Sequence, residues 1–519
     1  MDMTAAGVIV VYLVVATGVG SVMARRANTS AGWAVAGGGM SGTMVAFGIA
    51  GTRIGGAGTY GVAGDVISGG VWNLWWYGIS AFLALALVGL FFAVYYRRFR
   101  LHTVGELFTI RWQTRRCQWM SSLCVQTEYI IVNLIEAYVI GVIISTVTPL
   151  PMFVGVMIAA VIFSTYVSLG GLWGTALTNL IHCVVVLAGL LIVGVLGIEQ
   201  LGGWDSVTRA VGDHLLAAER DQQAWWGFTG TGWLPVFAMV FAAAIHTPAA
   251  SVYTNYATAA KNERHIAPAF LVAGVIAAAM PILAGLIGVL TTARYGLDAG
   301  LSGYRNLTTL ASEINPLIGG VALAAVLAAV ISSGGPILLS SATMFVRDWL
   351  PFTRSYDSER RLKAYRVTTT VYAIVAALAA WAVATQTDIS ILDLLLFGFA
   401  MVVPPAISVG FLIYWRRTTE QGAYWGMVSG YAGGMIWFAL IKLALAVGLS
   451  APAGASLIHQ VVVAALTVDG EGLDPSYLTT LIPLVIVPIV SMLTTDTGGD
   501  PDTFYSMLSG ERPVDRALV

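Results

Sequence analysis

The chain is 519 residues long, 57% hydrophobic and only 10% charged, with a formal net charge of −1 and a mean hydropathy of +0.81. Soluble domains carry roughly 25% charged residues, so most of these side chains face lipid or one another, and without a basic excess the chain offers no electrostatic footprint for nucleic acid. The cysteines Cys117, Cys124 and Cys183 form no C-x-x-C pair and the six histidines lack zinc-like spacing, which speaks against a metal cluster or a disulfide framework.

Apolar runs long enough to cross a ~30 Å hydrocarbon core as helices recur thirteen times: 5–23, 43–63, 71–96, 122–147, 151–170, 172–197, 231–256, 266–291, 318–346, 364–386, 389–414, 423–448 and 477–494. The expected fold class is thus an all-α polytopic membrane protein. The first run has Asp2 before it and Arg25 and Arg26 after it, the reverse of a secretory signal. It reads as an uncleaved helix with its N-terminus outside. On that orientation 20 of the 26 Lys and Arg fall in inside segments, against Arg209, Arg220, Arg294 and Arg305 outside, as the positive-inside rule demands. The remaining two, Arg53 and Lys442, fall well within spans, whereas Arg366, counted among the inside residues, stands at the inner edge of the tenth. The expected location is the plasma membrane, with the C-terminus cytoplasmic.

The second span contains "AFGIAGTRIGGAGTYG" (46–61), with G-x-G-x-x-G at Gly56, Gly58 and Gly61. No strand or βαβ unit surrounds it and no acid follows about 20 residues on, so a dinucleotide loop is excluded. A helix-packing motif or an interrupted membrane helix remains. The seventh span is also interrupted, by Pro248 among polar residues, and an offset of about 194 residues superimposes the two. Two blocks of five spans follow, and an odd number per block forces opposite orientations. Inverted repeats that each open on a broken helix are the sequence sign of a secondary transporter with a midplane site. The expected organisation is an extra helix (5–23), a first repeat (43–197), an inverted second repeat (231–414), two peripheral helices (423–494) and a cytoplasmic tail (495–519).

In the ninth span Ala329, Ser332 and Ser333 share one helix face. Pro336 lacks an N–H, so the Ser332 carbonyl loses its helical partner and needs another. Two readings stand: the hydroxyls and a carbonyl are hard oxygen donors for an alkali cation, or the serines bond back to the preceding turn.

Three stretches carry a family resemblance. "YVSLGGLWGTALTNLIH" (Tyr166–His182), "TAAKNERH" (Thr258–His265) and "AAVISSGGPILLSSATMFVRDWL" (Ala328–Leu350) resemble, in the right order, motifs of the sodium/solute symporter family. The resemblance implies a LeuT-like five-plus-five inverted repeat of thirteen-span type and sodium-driven uptake of a small solute. It also implies a sodium site made of the Gly51, Ile54 and Ala329 carbonyls and the Ser332 and Ser333 hydroxyls. The sequence departs from the family pattern at Arg53, where many members have a small polar residue or an aspartate, and at Asn179, where the T-D motif has its aspartate. Tyr256 stands near the place of an arginine.

Arg53 has three readings: a clamp for an anionic solute, a built-in substitute for a cation, or a structural partner of Asp65, Glu128, Glu136 or Asp393. Candidates for substrate binding or coupling are Thr52, Arg53 and Gly55 at the first break, Asn179, and His246, Thr247, Tyr253 and Asn255 around the second. Glu128 and Glu136 suggest helix–helix hydrogen bonding or a proton relay, and His182 an interhelical hydrogen bond. Trp72, Trp75 and Trp76 suggest an interfacial belt, and residues 203–226 an amphipathic surface helix. The expected function is secondary active import of a small polar organic solute by alternating access, coupled to sodium. The alternatives are sodium-independent or proton-coupled transport of an anion, or a transporter-like sensor. Nothing suggests an enzyme, a nucleic-acid partner, a required protein partner or any cofactor besides sodium as the coupling ion.

Overall fold

The computed structural model describes residues 3–230, 232–297, 310, 313, 316–386, 391–450, 456–467, 473–496 and 498–514. Arg305, Arg516 and the first two residues of the span expected at 389–414 lie outside them. Because lipid offers the backbone no partners, the apolar runs must satisfy their own N–H and C=O groups, and they do so as helices.

Among the described residues thirteen helical segments, α1 to α13, follow the order read from the sequence, and ten helices, or eleven with one bent pair, are long and apolar enough to cross a membrane. α1 is Met3–Val22. α2 is broken into Gly42–Gly56, a π turn Ala57–Gly61 and Val62–Gly69. α3 is Trp72–Phe91 and α4 is Arg116–Val147. The helical stretch Met152–Gln200 has 49 residues and would run about 74 Å if straight, more than twice the hydrocarbon core. It folds back at Gly171 (φ 53°, ψ −155°) into α5 (152–170) and α6 (172–200), so that the Tyr166 hydroxyl meets the Thr178 hydroxyl twelve residues on. α7, the second broken helix, comprises Trp233–Val240, a π turn Phe241–Ile245, a 3₁₀ turn Thr247–Ala249 and Ser251–Ala259, bent by 50°. α8 is Ile266–Tyr295, α9 Pro316–Met344, α10 Ser358–Gln386, α11 Ile391–Tyr414, α12 Glu420–Ala446 and α13 Pro475–Leu493.

The two breaks, at Gly55 and Ala250, are 195 positions apart, and each opens a set of five helices. Their opposed directions are visible at both ends. Met40, just before α2, exchanges backbone hydrogen bonds with the segment just after α7: its N–H donates to Ala259 at 2.8 Å and its carbonyl accepts from Lys261 at 2.8 Å. At the other end Val71, after α2, donates to the Trp225 carbonyl ahead of α7 at 2.8 Å. The start of one broken helix thus lies at the end of the other, as inversion requires. Residues 203–226 form Trp204–Ala217 and Gln222–Trp226, which cover the turn between α2 and α3.

The Met40 end also gathers the basic loops. Arg98 pairs with Glu263, Arg111 with Asp496, Arg116 with Glu420, and Arg347 with Glu106 at 2.5 Å. Arg97 Nε donates to the Ala260 carbonyl at 2.7 Å. Glu106 is 6% exposed; burial pushes its carboxyl up, and Arg347 with neighbouring hydrogen bonds pulls it further down, so it ends below its ordinary value of 4.5.

Two outcomes follow. At Gly171 an alanine would strain a backbone region open essentially only to glycine, and its Cβ would lie 2.7 Å from the Trp33 carbonyl oxygen. Gly171→Ala should lower stability by about 2–4 kcal/mol, read as thermal unfolding in detergent, whereas Gly18→Ala, whose Cβ meets nothing within 4 Å, should be neutral. Because the Glu106 carboxyl is depressed in the folded state, the stability it contributes is present above the ordinary glutamate value and is lost as pH falls through the folded one. Glu106→Gln should therefore cost about 3 kcal/mol at pH 7 and flatten the acid limb of a stability–pH curve; an unchanged acid limb would assign that limb to other groups.

Candidate functional site

The first break is set by Gly55, at φ 53° and ψ −175°. A Cβ here would collide with Glu136 Oε1 and lie 2.9 Å from Ser333 Oγ, so only hydrogen fits. Beyond the break the Gly56 N–H has no helical acceptor and donates to Glu136 Oε2 at 2.9 Å. Glu136, on α4, thereby caps the second limb of α2, where free N–H groups favour a negative charge. The Ile54 carbonyl accepts from the Ala57 N–H.

Before the break the chain offers carbonyls to α9. Ser332 Oγ donates to the Gly51 carbonyl at 2.9 Å and to the Ala329 carbonyl at 2.7 Å. One hydroxyl therefore bonds back to its own preceding turn and also bridges to α2. The Ser332 carbonyl, deprived of a helical partner by Pro336, accepts from Asn179 Nδ2 of α6 at 3.0 Å. The same amide donates to the Gly48 carbonyl at 2.9 Å and approaches Thr52 Oγ1 at 3.4 Å. Asn179 thus joins α2, α6 and α9, and its Oδ1 is buried without a partner.

These groups suit a sodium ion in kind, being hard, mostly neutral oxygens at the end of an unwound helix. Of the five donors expected, the structure draws Gly51, Ala329 and Ser332 around one hydroxyl. Ile54 and Ser333 stand on the wall of the adjoining cavity.

That cavity, about 20 Å³, has room for a water molecule and no more. Thr52, Arg53, Gly55, Tyr77, Glu128, Glu136, Tyr253 and Phe399 are among its lining residues. Arg53 is 5% exposed. Its Nη2 donates to the Ala243 carbonyl in the π turn of α7 at 2.7 Å, and its Cζ lies 5.0 Å from the centre of the Phe399 ring. Its Nε has no partner. Among the described residues no ion pair within 4.0 Å joins it to Glu128 or Glu136, two of the carboxylates weighed for it. His246 stacks on Phe399 with centroids 4.1 Å apart and holds Nε2 3.9 Å from Glu128 Oε1. Thr247 Oγ1 donates to the Ala243 carbonyl at 3.2 Å, the same oxygen Arg53 uses.

Asn255 falls elsewhere. Its Nδ2 donates to the His102 carbonyl at 2.6 Å, at the end carrying the basic loops, because it lies more than a turn beyond the α7 break. His182 bonds the Tyr12 hydroxyl of α1, an interhelical contact. Tyr77 and Phe399 were missed, since an aromatic in an apolar run carries no sign of its role. Glu136 was noticed as a buried acid without its task at the break.

Asn179 yields a test. An aspartate keeps the shape but only accepts, so it would face the Gly48 and Ser332 carbonyls with like polarity. In potassium chloride Asn179→Asp should be less stable than wild type by about 2–4 kcal/mol, and exchange into sodium chloride should restore more of its melting temperature than it adds to wild type. Equal stability in potassium would mean the amide does not hold these carbonyls.

A family model described as "Sodium:solute symporter family" matches residues 33–430. A sodium/proline symporter of Staphylococcus aureus is 24% identical over 299 residues, covering 56% of each chain; the match spans about half the length of the curated relatives. Among solved structures, a Na+-coupled sialic acid symporter in a substrate-bound outward-open state superimposes with a TM-score of 0.72 at 17% identity, covering 95% of this chain and 98% of that one. Mhp1, a nucleobase-cation-symport-1 family transporter in a closed conformation with bromovinylhydantoin bound, gives 0.54 at 15% identity, covering 93% and 99%. These likenesses establish the LeuT-like fold, and with a family model matching more than three quarters of its length the chain belongs to the sodium:solute symporter family.

Proposed function

We propose that the protein is a secondary active transporter, a sodium-coupled symporter that takes up a small polar organic solute by alternating access and performs no covalent chemistry. The observation that carries this reading is the Ser332 hydroxyl, which links the Gly51 carbonyl of one repeat to the Ala329 carbonyl of the other. Sodium would be held by these three oxygens, with Ile54 and Ser333 as further donors. An ion seated between α2 and α9 touches both halves of the repeat and so favours whichever arrangement brings them together. It can bias the cycle only by its differential affinity for the two states. Family membership supports the reading, as do the sodium-coupled activities for which the relatives are named. By the positive-inside rule the basic end would face the cytoplasm of a cell bounded by the plasma membrane, leaving the N-terminus outside.

A thermal-shift screen of a metabolite library, run in sodium and in potassium chloride, tests this. The expected result is a solute whose stabilisation grows with sodium, since linkage makes each ligand tighten the other. Ser332→Ala should reduce sodium's effect at least about tenfold in concentration. In proteoliposomes the same solute should accumulate under an inward sodium gradient; binding indifferent to sodium together with no accumulation would favour a sensor instead.

A further inference from the structure

Two contacts meet on the carboxyl of Glu136, which stands on α4 and is 2% exposed. Its Oε2 accepts the Gly56 N–H, which opens the second limb of α2, at 2.9 Å. The same carboxyl is hydrogen-bonded to the side chain of Ser333 on α9, itself 3% exposed. Glycines make this meeting possible. The place a Cβ would take on Gly55 is already filled by Glu136 Oε1 and lies 2.9 Å from Ser333 Oγ, so the bare Cα leaves carboxyl and hydroxyl room to touch. On α9 a Cβ at Gly334 would stand 3.3 Å from the Cβ of Glu136, and its absence lets α4 come this close.

We propose that Glu136 is a positioning residue for the coupling ion: it accepts the Ser333 hydroxyl proton, so that the lone pairs of Ser333 Oγ are presented to sodium. This rests on the sodium-coupled reading above and adds a residue outside the five expected donors. A hydroxyl carries one proton and two acceptor lone pairs. A serine on a helix otherwise gives that proton to the turn before it or leaves it free to rotate. An acceptor behind the hydroxyl decides which way it points, as partners behind a metal ligand do elsewhere. The two serines of α9 then differ. The Ser332 proton lies on the Gly51 and Ala329 carbonyls and must turn away before an ion can use the same oxygens. The Ser333 proton is held on the far side by Glu136 and need not move. Because the same carboxyl holds the Gly56 N–H, the ligand on α9 is set in register with the break in α2.

The test reads sodium binding to the purified full-length protein as the sodium chloride concentration that gives half the maximal thermal shift, with ionic strength held constant by potassium chloride. Glu136→Gln keeps the side-chain length and an oxygen for the Gly56 N–H, but it sets an NH₂ group against Ser333. That donor occupies a lone pair and sends the hydroxyl proton towards the ion. Half-saturating sodium should rise at least about tenfold in Glu136→Gln and likewise in Ser333→Ala. The double variant should lose no more than the more affected single one, because Glu136 acts through the hydroxyl; a merely structural role would make the two losses multiply. A cooperative melt in potassium chloride marks each variant as folded. The inference is overturned if Glu136→Gln binds sodium as the wild type does, or if the two single losses multiply in the double variant. It is equally overturned if Ser333→Ala leaves sodium binding unchanged, an outcome that needs no substitution at Glu136. In each of these cases the wild type still responds to sodium and the transport reading stands; a wild type indifferent to sodium overturns both.

Discussion

Every backbone N–H and C=O buried in a bilayer must find a partner, and two interrupted helices leave a cluster of them without helical ones. The centre of this protein can be read as the set of side chains that answer that need. Glu136 takes the Gly56 N–H, Ser332 the Gly51 carbonyl, and Asn179 the Gly48 and Ser332 carbonyls. Arg53 and Thr247 share the Ala243 carbonyl across from the break in α7. Because each helper comes from a different helix, satisfying the backbone also fixes how α2, α4, α6, α7 and α9 sit against one another. The proposed binding site and a structural joint are here the same atoms.

The two departures from the family pattern then have a common physical character. An aspartate at 179 could only accept hydrogen bonds, and a small residue at 53 could not reach α7. Asn179 and Arg53 are instead donors, aimed at the Gly48, Ser332 and Ala243 carbonyls. These donor side chains tie α2, α6, α7 and α9 together around a cavity of only about 20 Å³. They also leave the Gly51 and Ala329 carbonyls sharing the single mobile proton of the Ser332 hydroxyl. A hydroxyl can turn that proton away and present its lone pairs, so the same three atoms can bond to each other or face a cation.

Much of this was legible in the sequence because its signals are covalent or periodic. Hydrophobic length and basic asymmetry marked the spans, and the glycine run marked the first break to within a residue or two. Pro336 announced a free Ser332 carbonyl, whose partner turned out to be Asn179. What the sequence concealed depends on helix rotation. Glu128 and Glu136 are eight residues apart on α4, about two turns, and share a face; both line one cavity, yet one caps a helix and the other does not. Asn255 looked equivalent to Tyr253 but sits two residues further round and beyond the bend, where it meets the His102 carbonyl. Tyr77 and Phe399 matter only because α3 and α11 bring them there.

The inverted arrangement has a mechanical consequence for the proposed cycle. At the basic end Met40 and residues 259–261 form a short two-bond clasp, supported by Arg97 on the Ala260 carbonyl and by the Arg98–Glu263 pair. The clasp binds Met40, two residues before one broken helix, to Ala259 and Lys261 at the end of the other. Opening that end must either part these bonds or carry both helix ends together. Each backbone hydrogen bond is worth about 1 kcal/mol net and the partly exposed ion pair less than that, so the whole clasp amounts to roughly 2–4 kcal/mol. That is comparable to the bias a coupling ion supplies when its affinities for two states differ by about a hundredfold to a thousandfold. A latch of this size is strong enough to keep the end closed and weak enough for ion and solute binding at the centre to release it.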